Sequence, residues 1–454
     1  MKPSSSRFSS ALTGPLFAAA AVDAAIDDEA FLRAMVDAEI ALVSAAAEVG
    51  VVPSEAAAVI AAACESLEID IDALGHDAEA AGSPVVPLVR LISDAVGDDA
   101  KPWVHYGATS QDIIDTALML ISKRSGAVVV AALEAAADTC ASLAAEHRDT
   151  AMAARTLGQQ AAPTTFGRKA AGWLVGLDEA ADRLAAVCEH RLAAQLGGPV
   201  GTLAAFGADG DAVGSAYAAH LGLQSAPLPW HTDRQRVLDL AAALGEAAAT
   251  AAKIATDIVL MAQTEVGEVG LAAAGGSSSM PHKHNPVDAI LVIAGAARAP
   301  GLVATLFAAA TPEHERGTGA WHSEWEPWRE LLSVAGGVCS RTATMLGGLQ
   351  VNSVRMQGNL DATGGLLMAE SVAVRLAATI GRSTAHDVVG RCVKTAATSA
   401  QSFAEVLASD PDVTAGLDSA ALAAALDPAA WLGIATSQVD RAVAAHRDRR
   451  RRSP

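Results

Sequence analysis

The sequence has 454 residues and a formal net charge of -19 at pH 7, and 51% of its residues are apolar although only 4% are aromatic. This length exceeds the usual size of one hydrophobic core, so we expect roughly two to four domains or one elongated molecule. The negative charge argues against a nucleic-acid partner. No uninterrupted apolar run is long enough to span a bilayer, which argues against a membrane partner.

The cysteines indicate the compartment. They are far apart and form no C-x-x-C pair; they are Cys64, Cys140, Cys188, Cys339 and Cys392. We interpret them as reduced, mostly buried thiols, which are typical of a cytoplasmic protein.

Helical periodicity dominates the chain from its beginning. Apolar residues recur at helical spacing at Phe31, Met35, Ala38, Leu42 and Ala45. Prolines, glycine and charges interrupt the pattern at 83–103, and glycine and asparagine interrupt it at 347–365. We therefore predict an all-α fold with an N-terminal helical domain (1–104), a central long-helix bundle (105–352) and a C-terminal helical domain (353–454).

The segment VHYGATSQDIIDTALML (104–120) predicts the start of a long helix. Thr109 and Asp112 have the spacing of a capping box, in which Asp is a weaker member than Glu. One apolar face follows at Ile113, Ile114, Ala117, Leu118 and Ile121. Thr109 and Ser110 present hydroxyl and N–H groups at the open helix end, either to a ligand or as an ordinary cap. His105 on its own is more typical of a hydrogen-bonded structural histidine than of a catalyst.

Two further stretches continue the helical pattern. In RTLGQQAAPTTFGRKAAGWL (155–174), Thr164 and Thr165 are cap candidates for a new helix. After Trp230 a long helix is predicted, with an apolar face at Val237, Leu240, Leu244, Ala247, Ala251, Ile254, Ile258 and Met261. A helix of this length belongs in a bundle rather than in a small globular domain.

The helical pattern breaks at GGSSSMPHKHNP (275–286). Gly275-Gly276 is predicted to end the long helix, and Asn285-Pro286 to begin the next as N-cap and first helical residue. The free N–H groups of that helix start and the charge of Lys283 favour a bound anion. Close to these N–H groups and this positive charge, a hydroxyl of Ser277, Ser278 or Ser279 would lose its proton more easily than in water. A serine-rich surface loop is the alternative.

Two remaining segments carry charge or histidine. PEHERGTGAWHSEW (312–325) offers His314 and His322, which suggest a metal, but HERGT lacks the second histidine of H-E-x-x-H, so we expect no metal. The basic run from His446 to Arg452 opposes the overall charge, and we interpret it as a frayed, solvated end.

Three of these segments resemble the fumarase/aspartase superfamily. GSSSMPHKHNP is similar to its long and specific G-S-S-x-M-P-x-K-x-N-P loop, and 104–120 and 155–174 resemble its first two motifs, in the same order. The resemblance implies that a group is added or removed across a carbon–carbon bond beside a carboxylate. It also implies a three-part all-α fold and a homotetramer, in which long central helices form a common bundle and each active site takes residues from several chains.

The resemblance implies roles for single residues. Ser277 would exchange the carbon-bound proton, and Lys283 and Asn285 would hold the substrate carboxylate and the carbanion formed from it. The predicted catalytic residues are Ser277 and Lys283. The predicted substrate-binding residues are His105, Thr109, Ser110, Thr156, Gln160, Ser278, Met280, Asn285 and Arg316. Arg316 is included because related enzymes bind substrate through an arginine after a similar E-R pattern, and no metal or redox cofactor is implied.

Two positions depart from the superfamily pattern. Leu157 stands where adenylosuccinate lyases have the histidine that protonates a leaving nitrogen, and His284 stands where many relatives have arginine. Leucine cannot transfer a proton, which argues against a strongly basic leaving group, whereas a carboxylate leaves as a stable anion. His284 either weakens anion binding or lies outside the pocket.

The remaining resemblance is to the cycloisomerase branch of the superfamily. In the reaction of these enzymes, the nucleophile or leaving group is a carboxylate of the substrate itself. The bacterial members of this branch share an apolar residue at the position of Leu157, the paired glutamines after it, LTGPLF near the start, and AGSPVVPLVRL (81–91). This implies ring closure of a small tricarboxylate in the cytoplasmic catabolism of aromatic compounds. The alternatives are an adenylosuccinate-type C–N lyase and a non-catalytic helical scaffold.

Overall fold

The computed structural model describes residue 10 and residues 12–272, 275–276, 280 and 282–452 of the chain. Most of these residues are helical, and the strands among them are short and form two-stranded pairs. The fold is all-α, as the helical periodicity predicts.

The helices before the first long helix are α1 (Ala20–Ile26), α2 (Asp28–Val49), α3 (Ser54–Ser66), α4 (Ile71–Ala81) and α5 (Val85–Ala95). The middle of the chain holds α6 (Ser110–Glu146), β1 (Ala151–Thr156), β2 (Gln159–Thr165), α7 (Phe166–His190), α8 (Gly210–Leu221), α9 (Gln235–Met261), β3 (Val269–Leu271), β4 (Gly275–Gly276), β5 (His284–Asn285), α10 (Val287–Ala296), α11 (Ala299–Ala309), α12 (Trp325–Gly347) and β6 (Leu349–Val351). The last part holds α13 (Ser353–Asp361), α14 (Ala369–Ile380), α15 (Arg382–Thr398), α16 (Phe403–Ser409), α17 (Pro411–Gly416), α18 (Ser419–Ala425) and α19 (Ala435–Arg452).

The chain divides into two compact units. The first unit contains the residues up to 134 together with 179–253 and 291–342, and the second contains 135–178, 254–290 and the residues from 343 onward. The division into three domains at 104 and 352 stays a prediction.

Local sequence explains the ends of α2 and its buried face. The side chain of Asp27 accepts a hydrogen bond from the N–H of Ala30 at 2.8 Å, as an N-cap does. Gly50, at a φ of 88°, ends the helix in the left-handed conformation that glycine adopts without strain. The predicted apolar face is buried at Met35, Ala38, Leu42 and Ala45.

The apolar faces predicted for α6 and α9 are buried. On α6, the predicted residues Ile113, Ile114, Ala117, Leu118 and Ile121 are all fully buried, and residues 111–122 are buried on every side of the helix. On α9, each predicted residue from Val237 to Met261 is at most 3% exposed. Full burial of one leucine or isoleucine side chain is worth about 1.5–3 kcal/mol, so these faces fix how both helices pack.

β1 and β2 form a hairpin in the second unit that the sequence pattern did not predict. Thr156 pairs with Gln159, so Leu157 and Gly158 form the two-residue turn. Their φ values are 52° and 80°, and positive φ at both positions defines a type I′ turn. After β2, the hydroxyl of Thr165 accepts from the N–H of Arg168 at 3.0 Å, which confirms Thr165 as a cap of α7, whereas Thr164 lies within the strand.

The predicted helix ends around 275–286 are wrong. α9 ends at Met261, and the chain turns at Gly267, with a φ of 61°, into β3, which pairs with β6. Gly275 and Gly276 form β4 and pair with Asn285 and His284 of β5. Two glycines stop a helix, but their extended backbone suits a strand pair equally well. α10 begins only at Val287, so Asn285 is a strand residue and not a helix cap.

The basic C-terminal run is not frayed as predicted, because α19 continues through it. His446 is 4% exposed, with Nδ1 3.0 Å from Asp178 and Nε2 2.9 Å from Asp138. Arg449 and Arg450 form ion pairs with the same two carboxylates. Two acidic side chains that are remote in sequence therefore hold the helix end within the second unit.

Within the described residues, two helical stretches, Ser110–Glu146 and Val287–Ala309, are long and apolar enough to cross a membrane by length and composition. Charged residues interrupt both stretches, at Asp112 and Lys123 in the first and at Asp288 and Arg298 in the second, so neither is an uninterrupted apolar run. Only 28% of the most apolar part of the second stretch is buried within the chain. Ile290 and Phe307 of this stretch are 47% and 49% exposed. An apolar surface of this extent indicates that something covers it.

Candidate active site

The start of α6 brings two predicted site residues together in the first unit. The N–H of Thr109 donates to Oδ2 of Asp112 at 3.0 Å, which is one half of the predicted capping box. The Thr109 hydroxyl has another partner, because Nη1 of Arg316 donates to it at 2.9 Å. The guanidinium of Arg316 also lies 5.7 Å from the ring centre of Trp321. A cation is thereby fixed beside Ser110, the first residue of a long helix, where an anion is favoured.

Asp112 holds this helix start against a glycine-rich loop. Its fully buried carboxylate accepts hydrogen bonds from the N–H groups of Gly197 and Gly198 at 3.0 and 2.9 Å, and Nε2 of His231 lies 2.7 Å from it. A side chain at Gly198 would meet the carbonyl oxygen of Gly107 at 2.8 Å, so the close approach requires glycine. Because its oxygens are saturated by these donors, Asp112 positions the site.

His105 precedes the helix start in a strained backbone conformation. Its φ is 55°, a region that costs a non-glycine residue about 1–2 kcal/mol. Its Nδ1 lies 2.7 Å from Oε1 of Glu39, a residue of α2 that is 2% exposed. Burial lowers the pKa of His105, but the charge and hydrogen bond of Glu39 and the charge of Asp112 raise the pKa overall. The environment therefore favours the cationic imidazolium.

Glu39 was not among the predicted site residues, although the sequence contained a signal for it. Glu39 stands four positions after Met35 and three before Leu42, on the apolar face of α2. A charged side chain on a core face requires a buried partner. The identity of that partner depends on tertiary contacts and could not be found from helical spacing.

A buried ion cluster beside α6 was also missed. Arg234 donates from Nη1 to Oδ2 of Asp115 at 2.8 Å and from Nε to Oε1 of Glu324 at 3.0 Å. The indole N–H of Trp321 donates to Asp115 at 3.0 Å. Burial raises the pKa of Glu324 to about 7, against the opposing charge of Arg234. Since Trp321 contacts Arg316, this cluster fixes the chain segment that carries the predicted substrate-binding arginine.

The hairpin of the second unit carries Thr156 and Gln160. Thr156 is exposed beside the turn, and Leu157 at the tip is fully exposed. Nε2 of Gln160 donates to the carbonyl oxygen of Asn359 at 3.0 Å, and its buried Oε1 has no hydrogen-bond partner among the described residues. The hairpin therefore presents a hydroxyl and an apolar tip, and Gln160 contacts α13.

Arg155 and Glu268 fix the base of this hairpin, and the sequence pattern identified neither. The Arg155 guanidinium makes a bidentate pair with the fully buried Glu268 carboxylate at 2.8 and 2.7 Å. Glu268 also accepts from Nδ2 of Asn359 at 2.8 Å. Arg155 lies within the segment that resembles the second superfamily motif. Its partner Glu268 stands 113 positions further along the chain, and nothing in the sequence around Glu268 indicates this pairing.

The loop at 275–286 also belongs to the second unit. Lys283 is exposed, and its backbone N–H donates to the carbonyl oxygen of Met280 at 3.0 Å. Asn285 is half-buried in β5, beside the exposed His284. Two predicted residues of this loop lie outside the described residues, namely Ser277 and Ser278.

The predicted site residues thus fall in both units. Those of the first unit are His105, Thr109, Ser110 and Arg316, and the described ones of the second are Thr156, Gln160, Met280, Lys283 and Asn285. The part of the chain that the structure describes contains no group of three or more His, Cys, Asp or Glu side chains suited to a metal. Cations, hydroxyls and amides dominate the candidate residues, and this chemistry suits a substrate that carries carboxylates.

The class of the protein follows from its relatives, which are lyase-type enzymes. The family described as lyase matches residues 17–301, and the family described as adenylosuccinate lyase C-terminus matches residues 365–442. The chain belongs to the lyase family of the fumarase/aspartase superfamily, which confirms the resemblance found in its motifs.

Individual members of the family are similar to this chain over nearly its whole length. The chain is 44% identical to nitrosuccinate lyase of Streptomyces davaonensis, over 96% of this chain and 94% of the relative. It is 43% identical to the 3-carboxy-cis,cis-muconate cycloisomerase of Pseudomonas aeruginosa, over 95% of each chain. A solved structure of the 3-carboxy-cis,cis-muconate lactonizing enzyme from Pseudomonas putida is similar with a TM-score of 0.90 and 39% identity, covering 97% of this chain and 99% of that one.

Proposed function

We propose that the protein interconverts 3-carboxy-cis,cis-muconate and its carboxymuconolactone, in the catabolism of aromatic compounds. Two of the relatives named above carry this substrate in their names and match almost the whole chain. The predicted cationic residues also suit a substrate with three carboxylates.

In the proposed reaction, a carboxylate oxygen of the substrate bonds to an alkene carbon of the same molecule and closes a five-membered ring. The electron pair of the double bond moves into the neighbouring carboxylate, where Lys283 and Asn285 stabilise the charge. The hydroxyl of Ser277 then gives its proton to carbon, and the resulting alkoxide takes a proton from water. Because nucleophile and alkene share one molecule, proximity is largely built in.

The observation that carries this proposal is the apolar tip of the hairpin. Leu157 is fully exposed at the position where adenylosuccinate lyases have a proton-donating histidine. An amine leaving group needs a proton, whereas a carboxylate leaves as a stable anion. A leucine at this position therefore favours the lactone reaction over an adenylosuccinate-type C–N lyase.

A second candidate is elimination from nitrosuccinate, which the similarity to the Streptomyces davaonensis relative favours. Loss of one proton from carbon and of nitrite from its neighbour converts nitrosuccinate into fumarate. Nitrite is also a stable anion, so Leu157 is compatible with this reaction. The two candidate reactions differ in the fate of the leaving group. The carboxylate of the lactone stays attached to the product, whereas nitrite is released as a separate molecule.

Two assays on purified protein separate the candidates. The first follows loss of the diene absorbance of 3-carboxy-cis,cis-muconate, and the second measures nitrite released from nitrosuccinate, each with Ser277→Ala as control. We expect diene loss with wild type only and little nitrite. Rapid nitrite release without diene loss would instead establish the second candidate, and equal rates for wild type and Ser277→Ala would remove Ser277 from either mechanism.

The same proposal includes a homotetramer with shared active sites. The half-exposed apolar side chains Leu260, Ile290 and Phe307 and the exposed Leu157 support cover by further copies of the chain. Sedimentation of wild type and Phe307→Asp tests this assembly, since a charge on a covered face should dissociate it.

We also place the protein in the cytoplasm, as the cysteines predict. All five thiols are unpaired and four are buried. Burial raises the pKa of the Cys64 thiol to about 12, so it stays protonated and unreactive. Such thiols suit a reducing compartment.

A further inference from the structure

A buried acid–histidine pair lies next to the start of α6, and the mechanism above does not use it. Nδ1 of His105 lies 2.7 Å from Oε1 of Glu39. The side chain of Glu39 is 2% exposed and that of His105 is 18% exposed. A carboxylate at this depth is strongly unfavourable unless a donor or a cation pairs with it. Each of the two side chains therefore constrains the other.

The contact with Glu39 shows which ring nitrogen of His105 faces inward. His105 adopts a φ of 55°, and the N–H of Ala108 donates to its carbonyl oxygen at 3.4 Å in a tight turn. Because Nδ1 faces a carboxylate, Nδ1 carries a proton and donates it. Nε2, on the other side of the ring, makes no hydrogen bond to any residue in the described ranges. The side chain is 18% exposed, and His105 stands four positions before Thr109.

We propose that Glu39 is a positioning residue, which holds Nδ1 of His105 inside the protein so that Nε2 binds a carboxylate of the substrate. This inference rests on the proposed function, because a carboxylate substrate is assumed. It assigns a role to a residue of α2 that lies 66 positions before His105 and outside the segments that resemble the superfamily motifs.

Charge strengthens the geometric argument. The titratable groups that interact with the pair are Asp112 of α6, Tyr217 of α8 and Cys64 of α3. Burial raises the pKa of Tyr217 and of Cys64, so both stay neutral at neutral pH. Asp112 is already engaged by His231 and two backbone N–H groups. The charge of His105 therefore depends chiefly on Glu39.

The isosteric variant Glu39→Gln removes this charge and retains the shape. Burial then dominates, and the pKa of His105 falls. A histidine with a raised pKa loses its positive charge only as the pH rises through that pKa. In the variant the pKa is lower, so His105 loses its charge at a lower pH. We expect the KM for 3-carboxy-cis,cis-muconate to rise about tenfold, with little change in kcat, at a pH between the ring titrations of the two proteins, since a charge-assisted hydrogen bond to the substrate is weakened.

The experiment combines NMR and kinetics on the full chain. Protein labelled with ¹³C-histidine is titrated to follow the ring of His105, whose resonance is assigned with His105→Gln. Glu48→Gln is the matched control, because Glu48 is also on α2 and lies 2.9 Å from His220, but at the surface. Glu39→Asp, which keeps the charge and shortens the side chain, should restore much of the raised titration and remains informative if Glu39→Gln folds poorly.

We expect the ring of His105 to titrate at lower pH in Glu39→Gln only, with the fall of kcat/KM moved in the same direction. An unchanged ring titration would overturn the proposal whatever the substrate is. A lowered titration with an unchanged KM would also overturn it, because Glu39 would then be merely structural. If wild type does not turn over muconate, the proposed function fails, and the unreactive tricarboxylate tricarballylate becomes the probe. It must then perturb the His105 ring of wild type and not that of Glu39→Gln.

Discussion

At the scale of single residues, Arg316 is the best-defined cation among the predicted substrate-binding residues. It donates to the hydroxyl of Thr109 at 2.9 Å and lies against the ring of Trp321. Both contacts hold the guanidinium at the start of α6, so little conformational freedom remains to be lost when an anion binds.

Replacing Arg316 should therefore reduce substrate binding sharply. A hydrogen bond to a charged group is worth about 1.5–3 kcal/mol, so Arg316→Ala should lower kcat/KM by about 10- to 100-fold, mostly through KM. Arg316→Lys should recover only part of this loss, because lysine cannot reproduce the planar fork. The control is Arg298→Ala, which removes a partly exposed arginine paired with Glu330. An equal loss in the control would mean that general charge, and not this contact, controls binding.

Glu324 gives a pH dependence of stability. Its folded-state pKa is about 7 against an ordinary value of 4.5, so the folded state holds the proton more tightly than the unfolded state. Stability from this group is therefore present below pH 4.5, falls as pH rises to 7, and is constant above. At about 1.4 kcal/mol for each pH unit, the total change is at most about 3.5 kcal/mol.

Urea unfolding of wild type and Glu324→Gln at several pH values measures this effect. The difference in unfolding free energy between the two proteins should change between pH 4.5 and 7 and level off above. Glu326→Gln, an exposed neighbour, is the control. A difference that does not vary with pH would show that Glu324 stays ionised beside Arg234.

At the scale of elements, the hairpin β1–β2 combines backbone strain with an exposed apolar tip. Leu157 has a φ of 52°, although asparagine and glycine are the residues that favour the first position of a type I′ turn. A leucine that is both strained and exposed contributes nothing evident to the stability of a single chain. Its apolar side chain is therefore best explained by function.

Leu157→Asn tests this explanation, because it creates the favoured Asn-Gly turn. The melting temperature should stay equal or rise by a few degrees, as strain of about 1 kcal/mol is relieved. If Leu157 contacts substrate or another chain in the proposed tetramer, the kcat/KM should nevertheless fall about tenfold or more, because an apolar contact is lost. Leu157→Met, which remains apolar, should retain most of the activity. Full activity in Leu157→Asn would show that the tip touches neither substrate nor another chain.

The same elements show how far sequence alone could predict the structure. The buried faces of α2 and α9 follow from helical spacing, because burial of one face repeats with the helix. The start of α6 is buried on every side, which helical spacing does not predict. The hairpin was missed because Leu-Gly lacks the usual turn chemistry and β2 contains Pro163. The docked end of α19 was missed because its partners, Asp138 and Asp178, are distant in sequence. Within the site, Glu39 was missed for the same reason.

At the scale of the whole molecule, the negative net charge opposes the binding of an anionic substrate. The chain carries a net charge of -19, yet the proposed substrate is an anion. In the function proposed above, positive charge at the substrate is supplied by Arg316, His105 and Lys283. Arg316 and His105 belong to the first unit of the chain and Lys283 to the second.

Mixing two inactive variants tests whether active sites are shared between chains. If Arg316 and Lys283 of one site come from different subunits, co-expressed Arg316→Ala and Lys283→Ala form some sites in which both residues are intact. With random mixing about a quarter of the sites are complete, so activity should recover to about that fraction of wild type. Preparations of each variant alone, treated identically, are the controls. A mixture as inactive as its components, in a tetramer shown by sedimentation to contain both chains, would mean that each chain builds its own site.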